Sequence, residues 1–514
     1  MAFPENNAPA ASNDLLSDLV NQVNQKLIEF AQNDRFQSIL ETSFGTQAET
    51  LQPALLSGAF LNGIAIEVLP SVTLQGALGA YAGATNTIYL SEELLVSSPQ
   101  QASAVLLEEV GHAIDEFLNV TDSAGDEGAI FASLVQGETL TEQQLDSLQQ
   151  EEDQTTLEIA GEKVTVEQAT LTVSNASDNG EGSLRSVISQ AAAEDTITFD
   201  SSLAGSRIFL SEELVIDKPL TIEGDADNDG TPDIILDGDS NSRIFNIDDG
   251  DAEKEVRVTI ESLTVANGFV EGGEFPANAG GGILNRENLT LSNSSVVSSS
   301  ASSGGGISSD GKLTVRDSAV LANSGRGIVV GRSSRATITN STISQNNRGG
   351  IFANTGSRVS ISNSTISGNS TSGDGGGFFA NDNSTATINN STISGNSASS
   401  DGGGFRNDGT TNVNNSTISG NSASDRGGGI FQANVSGAIT NLTNSIISGN
   451  RSSGAVTGNE IGRRNGTINS NGNNLFGDSD QSNSSAFSDF SPNSSDLTAT
   501  SDGTNPTALD SIIA

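Results

Sequence analysis

Apolar residues recur at nearly constant intervals through the last two-thirds of the chain. Each interval contains a serine that opens the motif SxxxxN, and the starts are Ser262, Ser294, Ser318, Ser341, Ser364, Ser391, Ser416 and Ser445. Apolar or β-branched residues occupy the second position after each start, and apolar residues occupy the third position before it, with Thr259 the exception. Each set can form an inward column with one residue per coil. One repeat cannot bury its own apolar face, and the repeats are therefore expected to stack.

A column of amides accompanies the apolar columns. All but one of the starts have an asparagine five residues later, at Asn267, Asn323, Asn346, Asn369, Asn396, Asn421 and Asn450. Because an amide both donates and accepts, asparagines stacked at the strand spacing of about 4.8 Å can hydrogen-bond along the column. Glycine-rich turns add a third apolar position, at Ile283, Ile307, Ile328, Ile351, Phe378, Phe405 and Ile430. The pattern predicts a mainly β protein, with a parallel β-helix of roughly 23- to 29-residue coils over residues 170–475 and an irregular tail over residues 476–514.

The first third of the chain follows a different pattern. Apolar residues recur there at helical spacing, which predicts helices over residues 101–119 and 127–136. Shorter apolar runs predict strands over residues 64–69 and 86–90. We therefore expect a small α+β domain over residues 1–169.

The charge balance excludes several classes of partner. The chain has 64 acidic and 22 basic residues, a formal net charge of −42, which repels nucleic acid and anionic membranes. It has no apolar run of about 18 residues, so we expect no membrane span. The first residues lack the basic start and apolar core of a signal peptide, so export would use another signal. The absence of cysteine excludes disulfides and thiolate metal sites.

Two sequence features resemble known exported proteins. The segment Thr172–Phe199, which contains NGEGSLRSVISQ, resembles the N-terminal segment of right-handed β-helix surface proteins of bacteria and cyanobacteria. The GGGI and GGGF turns, with IFAN, FFAN and FRND after them, resemble the repeats of chlamydial polymorphic outer-membrane proteins. The resemblance implies a right-handed, single-stranded parallel β-helix, a pectate-lyase-like solenoid, outside the cell or on its surface. Since this fold hosts lyases, hydrolases, epimerases and adhesins, it does not fix an activity.

An acidic loop with the pattern DxDxDGxxD precedes the regular repeats. Its candidate calcium ligands are Asp225, Asp227, Asp229, Thr231 and Asp233. Alternate carboxylates on a tight loop can converge on one cation, and Gly230 permits the sharp bend. The twelfth position is Leu236 instead of the glutamate of an EF-hand, so the loop resembles the shorter calcium loops of extracellular repeat proteins. The alternative is an acidic turn without a cation.

The only histidine of the chain lies in the motif EExGH, formed by Glu108, Glu109 and His112. This motif resembles the HExxH helix of zinc metallopeptidases and the EExGH of N-terminal modules in cyanobacterial exoproteins. The resemblance implies a zincin-like domain in which Glu108, His112 and Glu127 are candidate zinc ligands and Glu109 the general base. A glutamate in place of the first histidine makes the site less Lewis-acidic. Three alternatives stay open, namely an inert remnant, a metal site without proteolysis and an active metalloenzyme.

Two aspartates precede successive glycine-rich turns. Asp374 and Asp401 each lie four residues before the apolar residue that follows the turn, and Arg426 has the same place one coil later. If the register holds, the two carboxylates stack one coil apart. Such a pair suits a retaining glycosidase or a cation site, whereas the alternative is a surface ladder paired with Arg426.

These features support three functions. The first is a secreted or cell-surface, calcium-stabilised β-helix protein that acts in adhesion or interaction, with carbohydrate or extracellular matrix as partner. The second is a polysaccharide lyase, hydrolase or epimerase on the β-helix. The third is a metallopeptidase, which requires its candidate zinc ligands to converge.

Overall fold

A computed structural model provides the structure of the chain. It describes residues 10–46, 50–70, 73–74, 77–97, 99–119, 126–137, 140, 145, 148–149, 154–159, 162–168, 171–180, 182–191, 193, 195–227, 229–251, 254–433, 437–454 and 458–503. The chain divides into two compact units. One contains Met1–Ala204 and Lys218–Asn228, and the other contains Gly205–Asp217 and Asp229–Ala514. The domain boundaries given above stay predictions.

The first unit combines helices with a small mixed sheet. Its helices are α1 Ala10–Ala31, α2 Phe36–Phe44, α3 Leu51–Leu56, α4 Glu92–Ser97, α5 Pro99–Leu118, α6 Glu127–Val135 and α7 Leu184–Gln190, with 3-10 turns at Leu61–Gly63, Gly83–Thr85 and Ser201–Leu203. Its strands are β1 Ala65–Leu69, β2 Gly79–Ala82, β3 Thr87–Ser91, β4 Gln154–Ile159, β5 Glu162–Gln168, β6 Leu171–Val173, β7 Asp195–Phe199 and β10 Leu220–Glu223. The sheet has the order β1-β3-β2-β5-β4, with β1 and β3 parallel and the other pairs antiparallel.

Helices α5 and α6 form the centre of this unit and confirm the two helices predicted from the apolar spacing. They approach closely because both helices have a glycine at the contact: a Cβ on Gly111 would lie 2.7 Å from the Cα of Gly128. Any larger residue at these positions would separate the helices. The close approach brings the EExGH face of α5 next to the start of α6. None of the helices in the described ranges is long and apolar enough to cross a membrane.

The second unit is a solenoid of parallel strands. Its first sheet contains β13 Arg257–Glu261, β16 Asn288–Ser292, β19 Lys312–Arg316, β22 Arg335–Thr339, β25 Arg358–Ser362, β29 Thr385–Asn389, β33 Thr410–Asn414, β37 Ile439–Thr443 and β41 Thr467–Ser470. Its second sheet contains β8 Arg207–Phe209, β11 Ile234–Asp237, β14 Leu263–Ala266, β17 Ser295–Val297, β20 Ala319–Leu321, β23 Thr342–Ser344, β26 Thr365–Ser367, β30 Thr392–Ser394, β34 Thr417–Ser419, β38 Ile446–Ser448, β42 Leu475–Phe476 and β43 Leu497–Thr498.

Two further sheets complete each coil. The third sheet contains β9 Leu214–Ile216, β12 Phe245–Ile247, β15 Ile283–Asn285, β18 Ile307–Ser309, β21 Ile328–Val330, β24 Ile351–Ala353, β28 Phe378–Ala380, β32 Phe405–Asn407, β36 Ile430–Gln432 and β40 Ile461–Arg463. The fourth contains β27 Ser370–Thr371, β31 Ser397–Ala398, β35 Ser422–Ala423 and β39 Arg451–Ser452. The short helix α8, Asn483–Ala486, follows them.

The predicted inward columns are confirmed from the second repeat onward. In the first repeat the inward residues are Ile260 and Val265, which pair with Leu291 and Val296, so the prediction of Thr264 was wrong by one residue. In the first sheet Val315 pairs with Ile338 and Ile338 with Ile361, and all three are fully buried. In the third sheet Ile351 pairs with Phe378 and is likewise buried. Each coil therefore adds the same apolar positions to one continuous core, which is the arrangement that the repeat spacing predicts.

The predicted asparagine column is confirmed from Asn323 to Asn450, and its bonding is complete. Asn267 was wrongly included: Gly268 holds the corresponding position and donates its N–H to Ser299 at 3.1 Å, while the Asn267 amide donates to Asp237. The Nδ2 of Asn369 donates to the Oδ1 of Asn396 at 2.9 Å and to the carbonyl of Ile343 at 2.9 Å. Its Oδ1 accepts from the Nδ2 of Asn346 at 2.8 Å and from the Asn346 backbone N–H at 3.0 Å. All four hydrogen-bonding positions of this fully buried amide are thus used. The same pattern continues through Asn421 to Asn450.

A buried carboxyl group ends this column. Both the backbone N–H and the Nδ2 of Asn450 donate to the Oε2 of Glu460, at 3.2 and 2.7 Å. The Oε1 of Glu460 accepts from Gln481 at 2.9 Å. Burial raises the pKa of Glu460 from 4.5 to about 7, against the lowering effect of these hydrogen bonds.

The C-terminal tail departs from the predicted irregular structure. Leu497–Thr498 pairs in parallel with Leu475–Phe476 and so extends the second sheet. Phe476, Phe487 and Phe490 pack together, with ring centroids 5.3 to 6.0 Å apart. These aromatic residues do not follow the spacing of the repeat, so the sequence pattern did not show that this segment packs onto the solenoid.

Removing one amide from the middle of the column should strongly destabilise the β-helix. Asn396→Ala leaves the backbone N–H and the Nδ2 of Asn369 without their acceptor, and we expect a loss of about 4 kcal/mol. Thermal unfolding followed by circular dichroism checks this loss. Asn412→Ala, which removes a half-buried outer amide, is the matched control and should cost less than about 1 kcal/mol. Equal effects of the two substitutions would contradict the role of the column.

Glu460 should make the stability of the fold depend on pH. A carboxyl group whose pKa is raised on folding stabilises the fold fully below its unfolded pKa, and this contribution is lost as the pH rises through the folded pKa. From 4.5 to about 7 the shift corresponds to about 3 kcal/mol. Glu460→Gln removes this titration but also replaces one acceptor oxygen with an NH2 group, so the variant loses a hydrogen bond at every pH. The difference between its melting temperature and that of the wild type should therefore shift in favour of the variant as the pH rises from 4 to 8. Glu271→Gln, at an exposed position, should show no such divergence.

Candidate functional site

Three side chains of the first unit converge at the contact between α5 and α6. Glu108 and His112 lie one turn apart on α5, and Asp126 directly precedes α6. Their potential ligand atoms, one from each residue, lie within 4.8 Å of one another. His112 and Asp126 are each 1% exposed, whereas Glu108 is half-buried. The structure therefore brings two of the predicted zinc ligands together with a third residue that the sequence analysis missed.

The third member of this group is Asp126 instead of the predicted Glu127. The Oδ1 of Asp126 lies 3.8 Å from the Nε2 of His112, whereas the Oε1 of Glu127 lies 3.0 Å from its Nδ1. The difference arises because Asp126 is the N-cap of α6, where its Oδ1 accepts the Ala129 N–H at 2.7 Å and stays beside α5. The preference of aspartate for the N-cap could have indicated this residue from the sequence.

Glu127 instead orients the histidine. The tautomer in which Nδ1 donates to Glu127 makes Nε2 the ring nitrogen that can coordinate a metal, an arrangement that supports many histidine ligands. Burial raises the pKa of Glu127, and the hydrogen bond with His112 opposes that shift. Gly128 lies so close to the imidazole that any side chain there would occupy the space beside Nε2. One imidazole and two carboxylates form a donor set that suits Zn²⁺.

Glu109, the predicted general base, lies on the other side of α5. It is fully buried, and a Cβ on Gly79 of β2 would lie 2.5 Å from its Oε1. The carboxylate therefore packs against the sheet. This position suits a structural group better than a base that must reach a bound substrate.

The acidic loop partly matches its predicted geometry. Asp225, Asp227 and Asp229 each place a carboxylate oxygen within 4.8 Å of the others, whereas Asp233 lies outside this group. Gly230 has a φ of +87°, which fits the predicted bend. The Oδ1 of Asp229 accepts both the hydroxyl, at 2.6 Å, and the backbone N–H, at 2.8 Å, of Thr231, and these bonds lower the pKa of Asp229.

The two aspartates on adjacent coils are brought together, but with a different arginine. The Oδ1 of Asp374 accepts the backbone N–H of Asp401 at 3.0 Å. Arg406, instead of the predicted Arg426, binds the Oδ2 of Asp374 and pairs bidentately with Asp408. Arg406 lies on β32, the strand that follows the glycine-rich turn. The sequence analysis compared only residues that precede the turn, so it did not find this arginine. Burial first and then Asp374 raise the pKa of Asp401, while Arg426 lowers it.

The cluster of Asp374, Asp401, Arg406 and Asp408 is better suited to stabilising the contact between adjacent coils than to catalysing hydrolysis. Asp401 is 6% exposed, and Asp374 is engaged by Arg406, so neither carboxyl group is presented to an extended substrate. A further acidic group, Asp248, Asp249 and Glu287, was not found from the sequence. Asp248 pairs with Arg286 at 2.6 Å and Glu287 accepts the Val256 N–H at 3.0 Å, which accounts for two of the three carboxylates.

The outer face of the first sheet is a regular polar surface. The middle residue of each strand points outward, and these residues pair coil to coil in a single column: Thr259, Thr290, Thr314, Thr337, Ser360, Thr387, Asn412, Asn441 and Asn469. We call its six threonine and serine residues the hydroxyl column. The amide of Asn441 donates to Asn412 at 2.7 Å, whereas Thr314, Thr337 and Thr387 make no side-chain hydrogen bond to any residue in the described ranges.

Comparison with known proteins identifies the solenoid. The family model described as "Right handed beta helix region" matches residues 234–375, 280–438 and 327–494, which together span just over half of the chain. A solved pectate lyase, Pel9A, is 13% identical, with 67% of this chain and 82% of that chain covered and a TM-score of 0.34. The A-module of the Azotobacter vinelandii mannuronan C-5 epimerase AlgE6 is 14% identical, with 54% and 80% covered and a TM-score of 0.26. No curated protein sequence matched.

Proposed function

Since the chain belongs to the right-handed beta helix family, we propose that it is a secreted or cell-surface interaction protein whose β-helix binds carbohydrate. The observation that carries this proposal is the hydroxyl column. Thr314, Thr337 and Thr387 are partly exposed and lie in register on consecutive or nearby coils. A carbohydrate chain presents repeated hydroxyls that both donate and accept, and threonine offers the same chemistry at each coil.

The rigidity of the solenoid favours such binding. The asparagine column and the apolar columns fix every coil relative to the next, so the outward hydroxyls are held in place before a ligand arrives. Binding then costs little additional ordering of the protein. A repeating ligand gains several weak contacts together, which suits adhesion or interaction better than a single deep pocket.

Calcium and the location of the protein are further parts of this proposal. Asp225, Asp227 and Asp229 would hold Ca²⁺, which prefers oxygen ligands and would neutralise their mutual repulsion. The cation would stabilise the loop without taking part in carbohydrate binding. The surface or extracellular location rests on the sequence resemblance of the glycine-rich turns and of Thr172–Phe199 to exported proteins.

Removing the hydroxyls while keeping the side-chain shape tests carbohydrate binding. The triple variant Thr314→Val, Thr337→Val, Thr387→Val loses three hydrogen bonds worth about 1 kcal/mol each, so the Kd for a bound polysaccharide should rise roughly a hundredfold. The matched triple variant with serine keeps the hydroxyls and should bind nearly as the wild type does. Isothermal titration against a panel of neutral and acidic polysaccharides measures both. Wild-type protein that binds no member of the panel would refute the proposal.

A second function is favoured by the convergence of Glu108, His112 and Asp126. We propose that this group binds Zn²⁺ and that the ion joins α5 to α6. The buried position of Glu109 against Gly79 favours a structural ion over a metallopeptidase. Two carboxylate ligands also donate more charge than two histidines and so lower the Lewis acidity of the ion.

The two proposed metal sites serve as controls for each other. After loading with zinc and calcium and removal of excess ions, His112→Ala should lose zinc and retain calcium, while Asp227→Ala should show the reverse. Glu127→Gln should keep zinc but bind it about 10- to 100-fold more weakly, because a neutral amide oxygen accepts from Nδ1–H less strongly than a carboxylate does. Elemental analysis of the purified variants measures metal content. Zinc that persists in His112→Ala would rule out the histidine site.

A further inference from the structure

A short segment of the β-helix is positively charged, although the chain as a whole is strongly negative. The chain carries a net charge of −42, yet residues 312–358 contain a single acidic residue, Asp317, and seven of the 22 basic residues. These are Lys312, Arg316, Arg326, Arg332, Arg335, Arg348 and Arg358. Basic residues are thus concentrated on three successive coils of a chain that is otherwise strongly acidic.

Three of these cations stack in one column on the first sheet. Lys312 pairs in register with Arg335, and Arg335 with Arg358, each as the first residue of its strand. All three point outward and are exposed. No carboxylate in the described ranges forms an ion pair with any of them, although the nearby Arg316 lies 3.5 Å from Glu261. We call these three residues the basic column.

Like charges one strand spacing apart repel one another, so the basic column is unfavourable by itself. A second like-charge pair, Arg326 and Arg348, lies on two of these coils. Arg326 stacks over the ring of Phe352, with its guanidinium 4.1 Å from the ring centroid. Burial first and then the neighbouring charge of Arg348 lower the pKa of Arg326. An anion bound along the basic column would relieve the repulsion among Lys312, Arg335 and Arg358.

The geometry points to an acidic polysaccharide as the ligand of the basic column, an inference that rests on the proposed carbohydrate binding and names its ligand class. The column offers one cation per coil, at intervals of about 4.8 Å, to a polymer with regularly spaced carboxylates or sulfates. The hydroxyls of Thr314, Thr337 and Ser360 lie two residues further along the same strands and on the same face. Charged and hydroxyl groups of one sugar polymer can therefore be bound together.

The surrounding charge gives this surface selectivity. The acidic remainder of the chain repels a polyanion, so the ligand is directed to the three coils that carry the basic column. The outer face of β19, β22 and β25 carries no aromatic side chain on which bases could stack, which favours a sugar polymer over a single-stranded nucleic acid.

The test compares two polymers with the same backbone. Polygalacturonate carries the carboxylates, and its fully methyl-esterified form does not. The full chain should bind polygalacturonate at least about tenfold more tightly than the esterified polymer at low salt, and the preference should fall as salt is added. Titration by fluorescence anisotropy with labelled oligomers measures both affinities.

Matched variants locate the binding. Lys312→Gln, Arg335→Gln, Arg358→Gln should weaken polygalacturonate binding at least about tenfold and flatten its salt dependence. The control variant Arg35→Gln, Lys163→Gln, Lys254→Gln removes three exposed charges elsewhere and should change the Kd less than about twofold. Since all six positions are exposed, melting temperatures should stay near that of the wild type, which verifies folding.

Each contrary outcome has a distinct meaning. Equal effects of the two triple variants, or tighter binding of an oligonucleotide than of polygalacturonate, would overturn the inference. Equal binding of the charged and esterified polymers would overturn the acidic ligand class and leave the proposed carbohydrate binding intact. If the chain bound neither polymer and no other polysaccharide, both this inference and the proposed carbohydrate binding would be overturned.

Discussion

The column of buried asparagine amides is the interaction on which the β-helix depends. Each coil bends at the position of this column, and a bend inside a solenoid leaves backbone groups that no strand partner can satisfy. The amide of Asn369 solves this problem by bonding the carbonyl of Ile343, the N–H of Asn346 and two neighbouring amides. Because every acceptor belongs to another coil, no coil can satisfy its polar groups alone, and folding of the stack is cooperative.

The same column fixes the outer surface. An amide at one position per coil sets the register of adjacent coils, and a strand in fixed register places its outward residues in columns as well. Variable loop lengths between coils do not disturb this order, since the extra residues leave the core. The C-terminal end of the column needs different chemistry, because no further coil supplies an amide. Glu460 accepts there in place of an asparagine, at the energetic cost of a buried carboxyl group.

The repeat made most of the solenoid predictable. Inward residues such as Ile338 and Asn369 recur in every coil, so their role could be inferred from spacing alone. Features without a repeat were harder to predict. Asp126 and Glu127 are neighbours, and only the start of α6 decides which carboxylate lies beside Nε2 of His112. Arg406 binds Asp374 across a turn, and the spacing of residues in the sequence does not determine the path of that turn.

Regular stacking also explains why a basic column can exist in so acidic a protein. In a globular surface, a long side chain can turn away from a neighbouring like charge toward an acidic partner. In a parallel solenoid the first residues of consecutive strands are held at strand spacing, so Lys312, Arg335 and Arg358 cannot separate without loss of register. The spacing of these three positions is a fixed property of the fold, and a bound polyanion lowers the repulsion that spreading of the side chains and salt screening leave. A ligand whose charges repeat along its own length does so better than a compact anion, because it meets all three cations at once.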